Sequence, residues 1–312
     1  MTFSQLPANE AAWVRALEAI EIPVLQRTVE ELALLRENEE RLIARDIARV
    51  LLHDPMFTLR VLRYLQMNRR AAQTAEITTV EHALMMLGVT PFFEHFSDLP
   101  AVETTLAGQP AALAGLRRVV YRAHQAALYA NDWANLRADR NASEVAIAAL
   151  LHDITEMLLW CVAPKQALRI AAMQRVDASL SLRSLDAQRG VLGFSLAELQ
   201  AVLIADWQLP ALLRALMDDT QAERPRVMNV ALAVNLARHS SWGWDNPALP
   251  DDLVALAQFL KLPLTEVLAR IRRTAQLAES GRDWYQVPAT PVPEDLEERF
   301  PGIQDLGNSV DS

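Results

Sequence analysis

The amino-acid sequence predicts an all-α protein built as two helical lobes. Apolar residues recur throughout at the three- and four-residue spacing of amphipathic helices, and no stretch alternates apolar and polar residues over the length of a strand. Glycine is scarce, with 9 residues, whereas alanine and leucine, which favour helix, are abundant. With 312 residues, 51% of them hydrophobic, the chain can bury a large core.

The N-terminal part of the chain contains several helix patterns with recognisable ends. An amphipathic stretch over residues 10–20 precedes a break at Ile22-Pro23. A second pattern, over residues 41–52, places apolar side chains on one face and stops before Asp54-Pro55. Gly88 is the predicted C-terminal cap of a later helix. Capping-box patterns, which predict helix starts, are found at Thr28–Glu31, Thr78–Glu81 and Ser195–Glu198.

The middle and end of the chain predict the domain organisation. A looser segment, residues 98–109, contains proline and glycine and predicts the main internal boundary, and the longest helix pattern follows it over residues 110–137. From Val287 onward the sequence is rich in proline and acidic residues, which predicts a flexible tail. The predicted segments are an N-terminal helix (1–21), a first helical lobe (22–100), a second helical lobe (101–245), C-terminal helices (246–286) and an acidic tail (287–312).

Charge and cysteine content exclude several classes of function. The formal net charge is −9, which argues against binding of nucleic acid. By inspection, no apolar run approaches the roughly 20 residues that a membrane span needs, and the N-terminus lacks the features of a secretion signal. We therefore expect a cytoplasmic protein with neither a nucleic-acid nor a membrane partner. The single cysteine, Cys161, cannot form an intramolecular disulfide, and its apolar surroundings are typical of a buried, unreactive thiol.

Two sets of polar residues are candidates for function. His152 and Asp153 interrupt a strongly apolar stretch, and His124 lies in the long helix pattern before them. Imidazole and carboxylate groups suit a metal or an anion, but an equally simple interpretation is that Asp153 is the hydrogen-bond partner of a buried imidazole. Arg41, Arg45 and Arg49 form the second set, because their four-residue spacing places them on one helix face. They could meet a phosphate or an acidic partner, or form a solvated face with local ion pairs.

An ordered series of motifs resembles the HDOD family over roughly residues 22–240. The motifs are Ile22-Pro23, His53-Asp54-Pro55 with Thr58-Leu59-Arg60-Val61-Leu62, Glu81-His82-Ala83-Leu84 with Leu87-Gly88, Leu150-Leu151-His152-Asp153-Ile154, Gly193-Phe194-Ser195 with Ala197-Glu198, and Trp207 with Leu209-Pro210. Each motif is weak alone, but their common order is specific. The resemblance implies an all-helical HDOD domain whose second lobe is related to HD-type metal phosphohydrolases. It also implies a signal-transduction module that has lost catalysis.

The departures from the active HD pattern favour a non-catalytic protein. Thr155 and Glu156 stand where active enzymes of this type carry Gly-Lys, and Leu196 stands where HDOD proteins often carry histidine. The segment 217–221 lacks the His-His pair of the family, and 233–235 lacks the distal aspartate of active sites. His124, His152 and Asp153 are therefore expected to form a vestigial or weak metal or anion site.

These departures lead to two hypotheses about function. The first is a signalling or scaffold protein without a cofactor, apart from a weakly held divalent metal, that binds a protein partner or a small ligand. The alternative is a metal-dependent phosphohydrolase with an altered ligand set, in which Asp206 or Asp218 supplies a fourth ligand.

Overall fold

The computed structural model describes residues 3, 5–68, 76–175 and 184–299. All regular elements in these ranges are helices, so the all-α prediction is confirmed. The α-helices are α1 (Glu10–Glu18), α2 (Gln26–Arg36), α3 (Ala44–Leu51), α4 (Pro55–Met67), α5 (Val80–Leu87), α6 (Val89–His95), α7 (Val102–Thr105), α8 (Pro110–Leu136), α9 (Ala142–Leu151), α10 (Ile154–Val162), α11 (Pro164–Arg175), α12 (Ser184–Leu192), α13 (Leu196–Asp206), α14 (Ala211–Leu216), α15 (Pro225–Ser240), α16 (Leu249–Leu260), α17 (Leu264–Ser280) and α18 (Leu296–Arg299). Short 3₁₀ turns occur at Glu39–Arg41, Asp219–Gln221 and Arg282–Trp284.

The helices belong to two compact units, each made of two separate parts of the chain. Unit 1 consists of Met1–Val120 and Asp153–Arg214, and unit 2 consists of Tyr121–His152 and Ala215–Ser312. The predicted lobe boundary between residues 100 and 101 does not coincide with a boundary of these units. The chain leaves unit 1 within α8 and returns to it between α9 and α10, so sequence order alone does not define the units.

The segment predicted as the internal boundary is tied into unit 1. The Val24 N–H donates to the Pro100 carbonyl and the Val102 N–H donates to the Val24 carbonyl, both at 2.8 Å. Val24 and Val102 are fully buried. These main-chain bonds hold residues 100–102 against the start of unit 1, because buried backbone groups must find partners.

A buried carboxylate organises the N-terminal part of unit 1. Asp54 is inaccessible to solvent and caps α4, since its Oδ1 accepts the Phe57 N–H at 3.0 Å. Its Oδ2 accepts the Leu25 N–H at 2.7 Å and the Thr28 hydroxyl at 2.9 Å. The predicted capping box at Thr28 is therefore wrong. α2 begins at Gln26, and the Thr28 hydroxyl satisfies Asp54 instead of capping its own helix.

The other two predicted capping boxes mark real helix starts. Ser195 and Glu198 form the expected reciprocal pair, with the Ser195 N–H donating to Glu198 Oε2 at 2.7 Å. At α5 the cap is Thr79, one residue later than predicted, and its hydroxyl oxygen accepts the His82 N–H at 3.3 Å. α5 ends at Gly88, whose φ of 84° suits a residue without a Cβ.

In unit 2, α15 packs against α9 and α16, and α16 packs against α17. Arg226, in the first turn of α15, donates to Asp139 Oδ2 at 2.9 Å and to Glu144 Oε2 at 2.8 Å. These charge-assisted bonds fix the start of α15 beside the start of α9, so they position the segment that leads into His152.

The prediction of a flexible tail from residue 287 is wrong for residues 287–299. Val287 and Leu296 are buried, and the Trp244 Nε1–H donates to the Thr290 carbonyl at 3.4 Å. Arg272 donates to the Glu294 carbonyl at 3.0 Å. Burial of these apolar side chains offsets the entropic cost of ordering a segment rich in proline and acid. Residues 300–312 lie outside the described part of the chain.

One stretch, Ala142–Val162, is long and apolar enough to cross a membrane by length and composition alone, so the prediction that no apolar run has this length is wrong. In the structure it consists of α9 and α10, and 83% of the tested window is buried inside the protein. Core helices of soluble proteins pass the same test, and the burial of this stretch agrees with that interpretation.

Candidate functional site

The candidate site is built around His152, which ends α9 in unit 2. His152 is the C-terminal cap of this helix, and its side chain is 10% exposed. Its Nε2 lies 3.1 Å from Oδ1 of Asp219, whose side chain is 59% exposed. The arrangement therefore pairs an almost buried imidazole with a solvated carboxylate.

The neighbouring Asp218 accepts hydrogen bonds within its own 3₁₀ turn. Its Oδ1 accepts the Thr220 hydroxyl at 2.6 Å and the Thr220 N–H at 3.1 Å, and its Oδ2 accepts the Gln221 side-chain amide at 2.6 Å. These hydrogen bonds to the carboxylate lower the pKa of Asp218. Asp218 thus caps the 3₁₀ turn and presents the next residue, Asp219, to His152. From the sequence, Asp218 and not Asp219 was named as a possible ligand, because the choice between these adjacent acids depends on the conformation of this turn.

His124 lies on α8 in unit 2, with only 8% of its surface exposed. Its ring centroid is 5.5 Å from that of Tyr285, and Tyr285 is also 5.3 Å from Tyr121. The Tyr121 hydroxyl is 3.3 Å from Glu279, and burial together with this carboxylate raises the pKa of Tyr121. His124 is therefore part of an aromatic cluster.

Sequence reasoning missed Tyr285 entirely. It follows the 3₁₀ turn Arg282–Trp284, where no helical periodicity indicates which side chains are buried.

Asp153 belongs to unit 1, although it directly follows His152 in the chain. It is the N-terminal cap residue of α10, but its side chain makes no capping hydrogen bond. Instead its carbonyl accepts the N–H groups of Glu156 and Met157 at 3.1 and 3.2 Å. His124 and His152 belong to unit 2 and Asp153 to unit 1, because the boundary between the units falls between residues 152 and 153. The grouping of the three residues as one site stays a prediction.

In the part of the chain that the structure describes, the ligands of a catalytic metal centre are not assembled in one cluster. In the described ranges, no group of three or more His, Cys, Asp and Glu side chains is arranged to hold a metal ion. A catalytic zinc site uses three protein ligands and keeps one open position for water. Two acids were considered as a fourth ligand. The carboxylate of Asp218 accepts a hydrogen bond from Gln221 within its own turn, and Asp206 is the last residue of α13 in unit 1.

The arginine set is only partly as predicted. Arg45 and Arg49 lie on α3 and are exposed, but Arg41 belongs to the preceding 3₁₀ turn. α3 begins at Ala44 because the Asp46 carboxylate accepts the Ile43 N–H at 3.1 Å, and Leu42 and Ile43 are extended. The single row of three on one helix face is therefore wrong. None of the three guanidinium groups has an ion-pair or hydrogen-bond partner in the described part of the chain.

The helical fold and the His-Asp sequence at the α9–α10 junction define a protein of the HD-related, all-helical class. The model of the HDOD domain matches residues 22–222. The chain therefore belongs to the HDOD family, which is related to HD phosphohydrolases. No curated protein matches the chain.

Solved structures support this fold. The MmoQ response regulator from Methylococcus capsulatus str. Bath is 19% identical, with a TM-score of 0.60, and the match covers 81% of this chain and 98% of that one. A virulence factor from Campylobacter jejuni subsp. jejuni is 15% identical, with a TM-score of 0.62, and the match covers 88% of this chain and 98% of that one. Identities this low establish a shared fold and nothing about activity.

Proposed function

We propose that this protein is a non-catalytic HDOD signalling or scaffold protein of the cytoplasm, which acts by binding a protein partner or a small ligand. The observation that carries the proposal is the pairing of His152 with Asp219. An ionised carboxylate can only accept a hydrogen bond, so this pair requires the tautomer with the proton on Nε2, and a metal that bound this nitrogen would have to displace that proton. The Nε2 atom of His152 is thereby engaged in a contact within the protein.

Two positions that depart from the active pattern support the proposal. Thr155, in place of the expected glycine, is buried, and its N–H and hydroxyl donate to Gln200 at 3.3 and 3.2 Å. Leu196, where many family members carry histidine, is also buried, and its N–H donates to Gln188 at 2.9 Å. Leu196 thus replaces a histidine that could meet a metal, and both Thr155 and Leu196 are buried in unit 1.

A metal-dependent phosphohydrolase with an altered ligand set is the second candidate. The observation in its favour is that the structure brings Asp219, an acid outside the quoted family motifs, to His152. If the imidazole turned its lone pair toward a metal, this carboxylate would add an oxygen donor beside it. Metal binding and the His152–Asp219 hydrogen bond compete for the same nitrogen, so the two candidates predict different metal contents.

Metal content and hydrolysis together distinguish the candidates. Protein purified without chelators is analysed for transition metals and is then assayed with Mn²⁺ on phosphodiester, phosphomonoester and nucleotide substrates. His152→Ala tests the site, and His239→Ala is a matched control, because His239 makes a similar pair with Asp252 at 2.6 Å elsewhere in unit 2.

We expect substoichiometric metal, and turnover that is equal in the wild type and both variants. Stoichiometric metal, or activity that disappears in His152→Ala but persists in His239→Ala, would refute the proposal.

A further inference from the structure

We propose that α3 and α5 of unit 1 form a docking surface for an acidic amphipathic helix of a partner protein. This surface consists of Ile43, Arg45, Arg49, Met85 and Met86. It deepens the proposed function, on which it rests, by assigning a place and a chemistry to the protein partner.

The two helices present adjoining outer faces. α3 and α5 pack against each other, and each buries its opposite face in unit 1. The buried residues are Ile47, Ala48, Val50 and Leu51 of α3 and Val80, Ala83 and Leu84 of α5. Since both inner faces point to one core, the outer faces lie side by side toward solvent.

Three apolar side chains on this surface are more than half exposed to solvent. Met85 is 68% exposed and Met86 is 52% exposed, on a helix of only eight residues, and Ile43 at the start of α3 is 60% exposed. An isolated exposed apolar residue needs no explanation, but a cluster of them marks an interaction site. Methionine is common on such surfaces because its flexible, polarisable side chain adapts to the partner.

The charge of the surface specifies an acidic partner. Arg45 and Arg49 are four residues apart on α3, where like charges repel, and neither has a partner in the described residues. Asp46, which lies between them in sequence, is held by the Ile43 N–H. The chain as a whole carries a formal charge of −9, so this pair of unneutralised cations stands out against an acidic protein.

A helix with one apolar face and flanking acids matches this surface best. Helices bind such sites through apolar anchors at three- and four-residue spacing, while carboxylates beside the anchors can meet the arginines. A second copy that docked through the same surface would bring its own Arg45 and Arg49 against these arginines, where like charges repel. A free phosphate would use the arginines but would leave Ile43, Met85 and Met86 exposed.

Site-specific photocrosslinking in the source cells tests the inference. The photoreactive residue p-benzoylphenylalanine replaces Met85 in the full-length protein, and in a control protein it replaces Leu277. Leu277 is 60% exposed on α17 of unit 2 and follows the exposed Arg273 by one helical turn. The captured segment is identified by peptide sequencing. Crosslinking is repeated with Arg45→Glu/Arg49→Glu and, as a charge control, with Arg273→Glu.

We expect a crosslink from position 85, and none from position 277, to a segment with net negative charge and apolar residues at helical spacing. Charge reversal at Arg45 and Arg49 should reduce its yield at least about tenfold, while Arg273→Glu should leave it unchanged. Arg45→Gln/Arg49→Gln, which removes the positive charges without reversing them, should give an intermediate loss.

Several results would overturn the docking surface. These are no crosslink, equal crosslinks from positions 85 and 277, capture of a second copy of the chain, or capture of a neutral or basic segment. Because hydrolysis and metal content are measured separately, the docking surface can fail while the non-catalytic assignment stands.

Discussion

Gly115→Ala should destabilise the protein, although it replaces glycine by the best helix former. Gly115 lies on α8 directly against the indole of Trp160. A Cβ at residue 115 would approach the Trp160 ring carbons Cη2, Cζ3 and Cζ2 to 2.4, 2.6 and 2.8 Å. Trp160 is only 4% exposed and its indole is rigid, so the ring cannot move aside without disturbing the core of unit 1.

The expected magnitude follows from two opposing terms. Overpacking of a core costs about 1–3 kcal/mol, and replacing glycine by alanine within a helix returns about 1 kcal/mol at most. With three contacts this short, the cost lies at the upper end of its range, and the net loss is about 1–2 kcal/mol. Gly190→Ala on α12 is the matched control, since its nearest neighbour is the flexible Met173 Cε at 3.7 Å. That change should stabilise by about 0.5–1 kcal/mol.

Urea denaturation followed by circular dichroism measures the free energy of unfolding of each variant. The double variant Gly115→Ala/Trp160→Phe tests the cause, because phenylalanine lacks the three ring atoms that the new methyl group meets. We expect the two substitutions to be non-additive, with the cost of Gly115→Ala falling when Trp160 is phenylalanine. Equal or higher stability of Gly115→Ala in the wild-type background, or strict additivity, would show that the close approach to Trp160 does not constrain residue 115.

Three further predictions concern local contacts. Thr28→Val should lower the free energy of unfolding by about 1–3 kcal/mol, because Asp54 loses one of its donors while remaining buried, and an unchanged urea midpoint would contradict this. Hydrogen bonds from the Ser195 N–H and hydroxyl lower the pKa of Glu198 to about 2 from 4.5, so the stability it contributes is present above pH 4.5 and is lost as the pH falls toward 2. Glu198→Gln should therefore weaken the decline of the urea midpoint between pH 5 and pH 2.5, and an identical decline in both proteins would refute it. Burial raises the pKa of the Cys161 thiol, so a thiol-specific reagent should modify it only after unfolding, and rapid labelling of the native protein would count against this.

The sequence predicted those parts of the fold that depend on neighbouring residues. The Ser195–Glu198 box, the end of α5 at Gly88 and the long helix α8 follow from caps and periodicity within a few turns. Thr28 has the same local pattern as Ser195, yet its hydroxyl serves Asp54, 26 residues away in sequence. A local pattern cannot show this difference, because the stronger demand comes from a buried carboxylate that only the tertiary fold brings close.

In the final segment of unit 2, a local pattern also failed to predict the structure, but here it predicted too little order. Proline and acidic residues after Val287 predicted a flexible tail, but Leu296 is fully buried and Arg299 donates to Asp245 Oδ1 at 2.7 Å. Composition measures the average tendency to remain unfolded, whereas one or two apolar anchors decide whether a particular segment packs. The spacing of those anchors is irregular and carries no helical or strand period.

In the candidate site, one residue could be predicted from the sequence and its partner could not. His152 could be identified from the sequence because a polar pair in a strongly apolar stretch needs a partner, and the motif order placed it in the HDOD family. Its partner could not be predicted, because Asp153 and Asp219 carry the same carboxylate and lie one and 67 residues from His152 in the sequence. Asp219 is presented to His152 by the 3₁₀ turn that Asp218 caps. The geometry of this site therefore depends on a single turn, because that turn brings Asp219 Oδ1 to 3.1 Å from His152 Nε2, and a metal that bound this nitrogen would have to displace the carboxylate.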